Sequence, residues 1–192
     1  MRIDHLINEK FEPVSEFVSN IIFYSVQYGE AQLKLIVLWL FLAALFFSFY
    51  LKFVNIWGFK HSIDLISGKF KNRFKNAKGE VTHFQALTAA LSGTVGLGNI
   101  AGVAVAVSLG GPGATLWMIF AGFLAMAAKF VECSLGLKYR IFNSNGTVSG
   151  GPMYYLSRGL SEIGYAGLGK ILAVFFAVAA VFGSFGGGNM FQ

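Results

Sequence analysis

The chain has 192 residues, of which 55% are hydrophobic and only 12% are charged, and its formal net charge is +6. A soluble globular domain has about 25% charged residues, so this composition excludes an ordinary soluble protein and favours an integral membrane protein. The single cysteine, Cys133, excludes an intramolecular disulfide. Because it lies in an apolar run, we expect a buried, unreactive thiol.

The N-terminal segment, residues 1–30, mixes acidic residues with large apolar ones. It has no apolar core after a basic start, so it is not a cleavable signal peptide. Two interpretations stay open for this segment on the outer side of the membrane: an amphipathic helix lying on the membrane surface, or a solvated tail.

The first transmembrane helix is predicted within residues 31–54. Its centre is a charge-free run over residues 35–51, bounded by Lys34 and Lys52. The run is short for a span, but both lysine side chains can reach the membrane interface and extend it.

Residues 55–80 are predicted to form a basic, solvated loop. Seven of the fifteen Lys and Arg residues lie between Lys52 and Lys78. Short loops rich in these residues stay in the cytoplasm, so the loop is assigned to the cytoplasmic side.

Residues 81–128 contain no Asp, Glu, Lys or Arg. As a single helix this stretch would be about 72 Å long at 1.5 Å per residue, far more than the ~30 Å hydrocarbon core of a membrane. The chain must therefore turn back once, and Gly-Gly-Pro-Gly at residues 110–113 is the candidate turn. We predict a second transmembrane helix over 81–109 and a third over 112–137.

Glycine interrupts the second span repeatedly, at Gly93, Gly96, Gly98 and Gly102. A glycine costs roughly 1 kcal/mol against alanine in a helix interior, and irregular backbone inside a membrane is tolerated only where it is packed in protein or lines a cavity. We predict that this helix is broken near residues 93–98, as in the broken helices that hold substrate and ion in secondary transporters. Helix packing through Gly98 and Gly102 is the alternative.

The third span ends among charged residues, where Lys129 and Glu132 are expected to form an ion pair on one helix face rather than a proton relay. Residues 138–169 are predicted to be a cytoplasmic connection with a short interfacial helix near 153–160, begun by Pro152. A fourth transmembrane helix is predicted over 170–192. Because it ends without a polar flank, we expect the chain to be the N-terminal part of a longer protein.

No set of catalytic residues is evident, since the three histidines lie far apart and no span contains paired acids. Residues 96–101 fit the dinucleotide pattern GxGxxG/A. That motif needs a preceding strand and an acidic residue about 20 positions later, and the first acid here is Glu132. We predict a protein that is not an enzyme, has no cofactor and binds no nucleic acid.

Four motifs follow one another: SGTVGLGNIAGVA from residue 92, GGPGATLWM from 110, KFVE from 129 and GGPMYYLSRGL from 150. In order and spacing they resemble the alanine or glycine:cation symporter family, also called the sodium:alanine symporters. The resemblance implies an all-α, polytopic membrane protein. It further implies the first part of a five-plus-five inverted-repeat fold like that of the neurotransmitter:sodium symporters, with the second span as the first repeat helix.

The resemblance also implies a function, the symport of a small neutral amino acid, alanine or glycine, with sodium as the coupling ion. The expected location is the plasma (bacterial inner) membrane, in contact with membrane lipid. Residues carried over as substrate-binding are Gly93, Thr94, Gly96 and Gly98. Residues carried over as sodium ligands, mainly through backbone carbonyls, are Ser92, Thr94, Val95 and Asn99.

Three alternatives stay open. Gln85 and Thr88 are consistent either with lining the cytoplasmic pathway or with helix packing. The protein is alternatively a related sodium-coupled transporter for another small solute. The remaining alternative is a non-transporting membrane channel or scaffold subunit whose helices pack through glycine.

Overall fold

The computed structural model describes residues 12–13, 15–29, 31–70, 81–96 and 98–186. Predictions for residues 1–11, for the second half of the basic loop over 71–80 and for the end of the fourth span over 187–192 lie outside the described residues. The α-helices after the N-terminal segment are α1 Leu35–Tyr50, α2 Val54–Ile66, α3 His83–Thr94, α4 Val103–Gly110, α5 Gly113–Lys138, α6 Pro152–Glu162 and α7 Ala166–Gly186. The strands are β1 Ser25–Tyr28, β2 Ala31–Lys34, β3 Ile141–Phe142 and β4 Val148–Ser149.

Helices α5 and α7 are each long and apolar enough to cross a membrane, with mean hydropathies of 1.8 and 2.1 in their most apolar stretches. The pairs α1–α2 and α3–α4 are each bent at a short break, by 73° and 63° respectively. If each bent pair is one span, the described part of the chain holds four spans. This is the architecture of a polytopic helical membrane protein.

A β-hairpin stands where the sequence predicted only a surface helix or a tail running into the first transmembrane helix. Residues 15–22 are helical, and strands β1 and β2 then pair antiparallel, with Ser25 opposite Lys34. Gly29 in the connection has a φ of +62°, which glycine adopts without strain. The predicted helical segment 31–54 therefore begins four residues too early, since residues 31–34 alternate apolar and polar side chains and pair as a strand.

The first half of the predicted basic loop is helix α2, which corrects the expectation of a solvated loop from residue 55. The helix forms because apolar side chains are frequent in it, including Ile56, Trp57 and Phe59, each about 60% exposed. The prediction of a loop rested on the many basic residues between Lys52 and Lys78. Long basic side chains are, however, compatible with a helix at a membrane surface.

Helices α1 and α2 are held against α5 by two side-chain hydrogen bonds. Ser48, fully buried, donates from Oγ to the Leu124 carbonyl oxygen at 3.2 Å, and Asn55 donates from Nδ2 to the Phe123 carbonyl oxygen at 3.0 Å. We call this pair of bonds the α5 clamp. Because its acceptors are backbone carbonyls, it fixes the position of α1 along α5 and does not depend on the acceptor side chains.

The bend between α1 and α2 runs through two residues with left-handed backbone, Lys52 (φ 50°) and Phe53 (φ 56°). Such a conformation costs a non-glycine residue about 1–2 kcal/mol. It is stabilised by a hydrogen bond from the Phe53 amide to the Ser48 carbonyl oxygen at 2.7 Å and by the clamp on either side. The bend is therefore a consequence of anchoring both helices to α5.

Two expectations about α5 have opposite outcomes. The ion pair is confirmed, with Lys129 Nζ lying 2.9 Å from Glu132 Oε2 on one helix face. The prediction of a buried thiol is wrong, because Cys133 is exposed. An apolar neighbourhood in sequence implies burial in a soluble core, whereas a membrane span exposes apolar residues to lipid.

The end of α5 is joined to α6 by a polar cluster around Tyr139, which is 8% exposed. Its Oη donates to Glu162 Oε2 at 2.6 Å and accepts from Lys138 Nζ at 3.0 Å. Lys138 Nζ also lies 3.5 Å from Glu162 Oε2. The hydrogen bond from Tyr139, followed by the charge of Lys138, lowers the pKa of Glu162.

Replacing Tyr139 with phenylalanine is expected to lower the thermal midpoint of the full-length protein by a few degrees at pH 7. A carboxylate with a lowered folded pKa stabilises the fold above its unfolded pKa, and that contribution is lost as the pH falls through the folded pKa. The difference between wild type and Tyr139→Phe should therefore shrink below about pH 4.3, the ordinary glutamate value.

The measurement is thermal unfolding in detergent at several pH values, with Tyr154→Phe on α6 as the control that keeps its midpoint. An equal loss of stability at neutral and acid pH would show that the Tyr139 hydroxyl stabilises the fold independently of the charge on Glu162.

Candidate functional site

The helix that enters the site, α3, begins with a capping box. Thr82 Oγ1 accepts from the Gln85 amide at 3.2 Å, and Gln85 Oε1 accepts from the Thr82 amide at 2.9 Å. The signal was present in the sequence as Thr-x-x-Gln. The Gln85 side chain is therefore already hydrogen-bonded at the start of the helix. Thr88 Oγ1 likewise donates to the Phe84 carbonyl oxygen at 2.9 Å. These contacts favour a structural role for both residues over pathway lining.

The α-helical backbone ends at Thr94. Thr94 Oγ1 donates to the Ala90 carbonyl oxygen at 2.6 Å, and the Val95 amide donates to Leu91 at 3.0 Å, so the last turn is closed. Val95 is then extended, with φ −82° and ψ 107°. The break begins later than predicted: Gly93 belongs to the last turn of α3, because the threonine hydroxyl and the Val95 amide complete that turn.

On the far side of the break the chain forms a π-helical turn, Gly98–Gly102, which continues directly into α4. The Asn99 amide donates back to the Gly96 carbonyl oxygen at 3.0 Å. This bond closes a turn that leads from the non-helical link into the π-helical turn.

The carbonyls at the end of α3 have few donors. An α-helix leaves its last four carbonyls without intrahelical partners, and here only that of Leu91 receives a backbone amide, from Val95. Among the described residues, none donates a hydrogen bond to the carbonyl oxygens of Ser92, Gly93 or Thr94. Three backbone oxygens therefore face the break with their acceptor capacity free within this part of the chain.

The glycines around the break are explained neither by backbone conformation nor by contacts among the described residues. Gly93, Gly98 and Gly102 are not in the left-handed region, and a Cβ added to any of them would meet no described atom within 4 Å. By contrast, a Cβ on Gly169 would lie 2.7 Å from the Leu156 carbonyl oxygen, so that glycine is required by packing. The described structure thus offers no partner for packing through Gly98 and Gly102.

The electrostatics of the break come from the backbone alone. Residues 81–128 carry no Asp, Glu, Lys or Arg, and His83 lies at the start of α3, away from the break. No group of three or more His, Cys, Asp or Glu residues in the described ranges is arranged to hold a metal ion. The C-terminal end of α3 carries the negative end of a helix dipole, and the N-terminal end of the following half-helix carries the positive end. The break can therefore accommodate a cation on one side and an anion on the other.

The predicted site residues lie on both sides of this break. Ser92, Gly93 and Thr94 are in the last turn of α3, and Val95 and Gly96 form the non-helical link. Gly98 and Asn99 begin the π-helical turn, and Asn99 is exposed. Sequence reasoning did not identify the π-helical turn itself, a feature frequent at functional sites.

Comparison with known proteins gives a family match for the chain. A family model described as "Sodium:alanine symporter family" matches residues 16–192. The sodium/alanine symporter AgcS of Methanococcus maripaludis is 45% identical over 148 residues, which cover 77% of this chain and 32% of that relative.

Two proteins of Bacillus subtilis are also similar. The putative sodium/proton-dependent alanine carrier protein YrbD is 42% identical over 135 residues, covering 70% of this chain and 25% of the relative. The probable sodium/glutamine symporter GlnT is 36% identical over 129 residues, covering 67% of this chain and 26% of the relative. The chain spans a third or less of the length of these curated relatives.

The family match covers nearly all of the chain, and the relatives are named as symporters and carriers, which are transporters and not enzymes. With its apolar helices and its broken span, the chain belongs to the sodium:alanine symporter family.

Proposed function

We propose that the full-length protein couples the movement of a small neutral amino acid, alanine or glycine, to the movement of sodium across the plasma (bacterial inner) membrane. The observation that carries the proposal is the break after Thr94, where backbone carbonyls are left without described donors inside an uncharged span. An unsatisfied backbone group in lipid costs several kcal/mol, so these oxygens need an ion, a ligand or another part of the protein as partner.

Sodium is a hard cation and prefers oxygen ligands. The proposed ligands are the backbone oxygens of Ser92 and Val95, with Thr94 and the side-chain oxygen of Asn99 completing the set. The C-terminal end of α3 carries the negative end of its helix dipole, which favours a cation at the same place.

The amino acid is proposed to lie against Gly93, Thr94, Gly96 and Gly98. Its carboxylate is anionic and is favoured by the amide groups at the start of a helix. The glycines leave the backbone open to a substrate, which accounts for their presence where no described neighbour requires them.

The proposed architecture is the five-plus-five inverted repeat, in which α3–α4 is the first helix of the first repeat. In this arrangement the basic region over residues 52–78 and residues 138–145 face the cytoplasm, and the turn over residues 110–113 faces outward. The second broken helix would come from residues outside this chain.

The test is uptake of labelled alanine by proteoliposomes containing the full-length protein, under an inward sodium gradient. Accumulation above the external concentration is expected with sodium and not when potassium replaces it. Competition by unlabelled alanine, glycine and glutamine identifies the substrate, glutamine being included because one relative is named a sodium/glutamine symporter.

Two results would contradict the proposal. Equal uptake in sodium and potassium would exclude sodium coupling. Equilibration without accumulation would indicate a channel. Accumulation of a different solute under the sodium gradient would instead show that the protein is a sodium-coupled transporter for that solute.

A further inference from the structure

A cleft separate from the broken span lies between the C-terminal half of α6 and the first turns of α7. Its volume is ≈ 370 Å³, and it is open on one side. The residues that line it are Ser157, Arg158, Ser161, Glu162, Ala166 and Lys170.

The two walls of the cleft are held together by the helical hairpin that α6 and α7 form. Gly164 turns the chain with a φ of +91°, and the Tyr165 amide donates to the Leu160 carbonyl oxygen at 2.8 Å. Gly169 allows α7 to approach so closely that an added Cβ would lie 2.7 Å from the Leu156 carbonyl oxygen. Lys170, the next residue, is therefore kept beside the α6 wall, and the cleft is part of the fold.

The charge in the cleft is positive. Arg158 and Lys170 form no ion pair with any residue in the described ranges. The single acid, Glu162, is already bound, because its Oε2 accepts from Tyr139 Oη at 2.6 Å and lies 3.5 Å from Lys138 Nζ. Two cations are thus left without a counter-charge.

The hydroxyls in the cleft differ in availability. Ser157 Oγ donates to the Met153 carbonyl oxygen at 2.8 Å within α6. Ser161 Oγ makes no hydrogen bond to a described residue, so it is available as a donor to a bound group.

The cleft lies at the start of α7, a helix long and apolar enough to cross a membrane. After Lys170, α7 carries no charge to its end at Gly186. Tyr165 just before α7 is 61% exposed; Ile171, the residue after Lys170, and Val174, one turn after Lys170 on the same face of α7, are 68% and 64% exposed. Tyrosine is enriched at the level of the lipid headgroups, and the exposed aliphatic side chains below it are suited to acyl chains.

We propose that this cleft binds the phosphate group of an anionic phospholipid, with Arg158 and Lys170 at the phosphate oxygens and Ser161 donating a hydrogen bond. The acyl chains lie along Ile171 and Val174. A phospholipid fits better than a free anion, because the basic residues and the exposed apolar surface are adjacent. This site is independent of the amino-acid site and goes beyond the proposed transport function.

The experiment uses purified, delipidated full-length protein and native mass spectrometry with phosphatidylglycerol and phosphatidylcholine of identical acyl chains. Wild type is expected to retain one phosphatidylglycerol in preference to phosphatidylcholine. The variant Arg158→Gln/Lys170→Gln should bind phosphatidylglycerol roughly 10- to 30-fold more weakly. Lys129→Gln, which removes an exposed lysine outside the cleft, should keep the preference.

A second variant and a competition experiment test the proposal independently of the double variant. Ser161→Leu fills the cleft but leaves both cations in place, and it should lose phosphatidylglycerol even where the double variant fails to fold. Soluble glycerol phosphate at millimolar concentration should leave the lipid bound. Equal binding of both lipids to wild type, retention of the preference in both variants, or displacement by glycerol phosphate would each overturn the proposal.

Discussion

Replacement of Gly96 by valine is expected to reduce sodium-driven alanine uptake roughly 100-fold while the protein still inserts in the membrane. Gly96 lies in the non-helical link, and its carbonyl oxygen accepts from the Asn99 amide at 3.0 Å. A β-branched side chain there would occupy the space that the substrate backbone needs. It would also disturb the turn that this hydrogen bond closes.

The measurement is the initial uptake rate in proteoliposomes, normalised to the amount of inserted protein. Gly122→Val in α5 is the matched control, because an added Cβ at this position meets no described atom within 4 Å. The control should transport at a rate near that of wild type. Wild-type uptake by Gly96→Val would place the substrate elsewhere and leave the glycines with a packing role.

Replacement of Asn99 by alanine is expected to raise the sodium concentration for half-maximal uptake roughly 10- to 100-fold. Asn99 is exposed at the start of the π-helical turn, and we propose its side-chain oxygen as a sodium ligand. A polar contact to a charged group contributes about 1.5–3 kcal/mol, which corresponds to this change in affinity at about 1.4 kcal/mol per tenfold.

The check is a series of uptake rates against sodium concentration at fixed alanine. Asn143→Ala is the control, since this asparagine bonds Thr147 and Ser149 in the loop after α5 and lies far from the break in sequence. Its sodium dependence should match wild type. An Asn99→Ala variant with unchanged sodium dependence and reduced stability would assign Asn99 a structural role.

The apolar helices were predictable from the sequence because charge is expensive in a membrane. The absence of Asp, Glu, Lys and Arg over 81–128 already required two spans and a turn, and Gly111 in that turn has a φ of +69°. The start of α6 at Pro152 was also predictable from the local sequence, because proline is favoured in the first turn of a helix.

The features that were missed depend on contacts that local composition does not encode. Strands β1 and β2 have four residues each, the shortest run over which alternation can be recognised. Helix α2 was hidden because it begins a segment rich in basic residues, although the helix itself contains one lysine. The bend at Lys52 and Phe53 lies between two helices that are each bonded to α5, at Ser48 and Asn55.

The break between α3 and α4 was predictable in its position but not in its boundary. Glycine frequency indicated the region 93–98, but it cannot tell which glycine ends the helix. That depends on the Thr94 hydroxyl, which bonds the Ala90 carbonyl oxygen and carries α3 one residue past Gly93. Similarly, the exposure of Cys133 depends on which face of α5 is covered, which a run of apolar residues does not specify.

The α5 clamp also has a consequence for biosynthesis. Ser48 and its acceptor Leu124 are separated by 76 residues, and a ribosome adds about 5–20 residues per second. For about 4 to 15 seconds the first helix therefore resides in the bilayer before its partner exists. During that interval the Ser48 hydroxyl can bond only within its own helix. Emergence of α5 from the translocation machinery then exchanges that temporary bond for the permanent one and fixes the bend, so the order of synthesis is also the order of assembly.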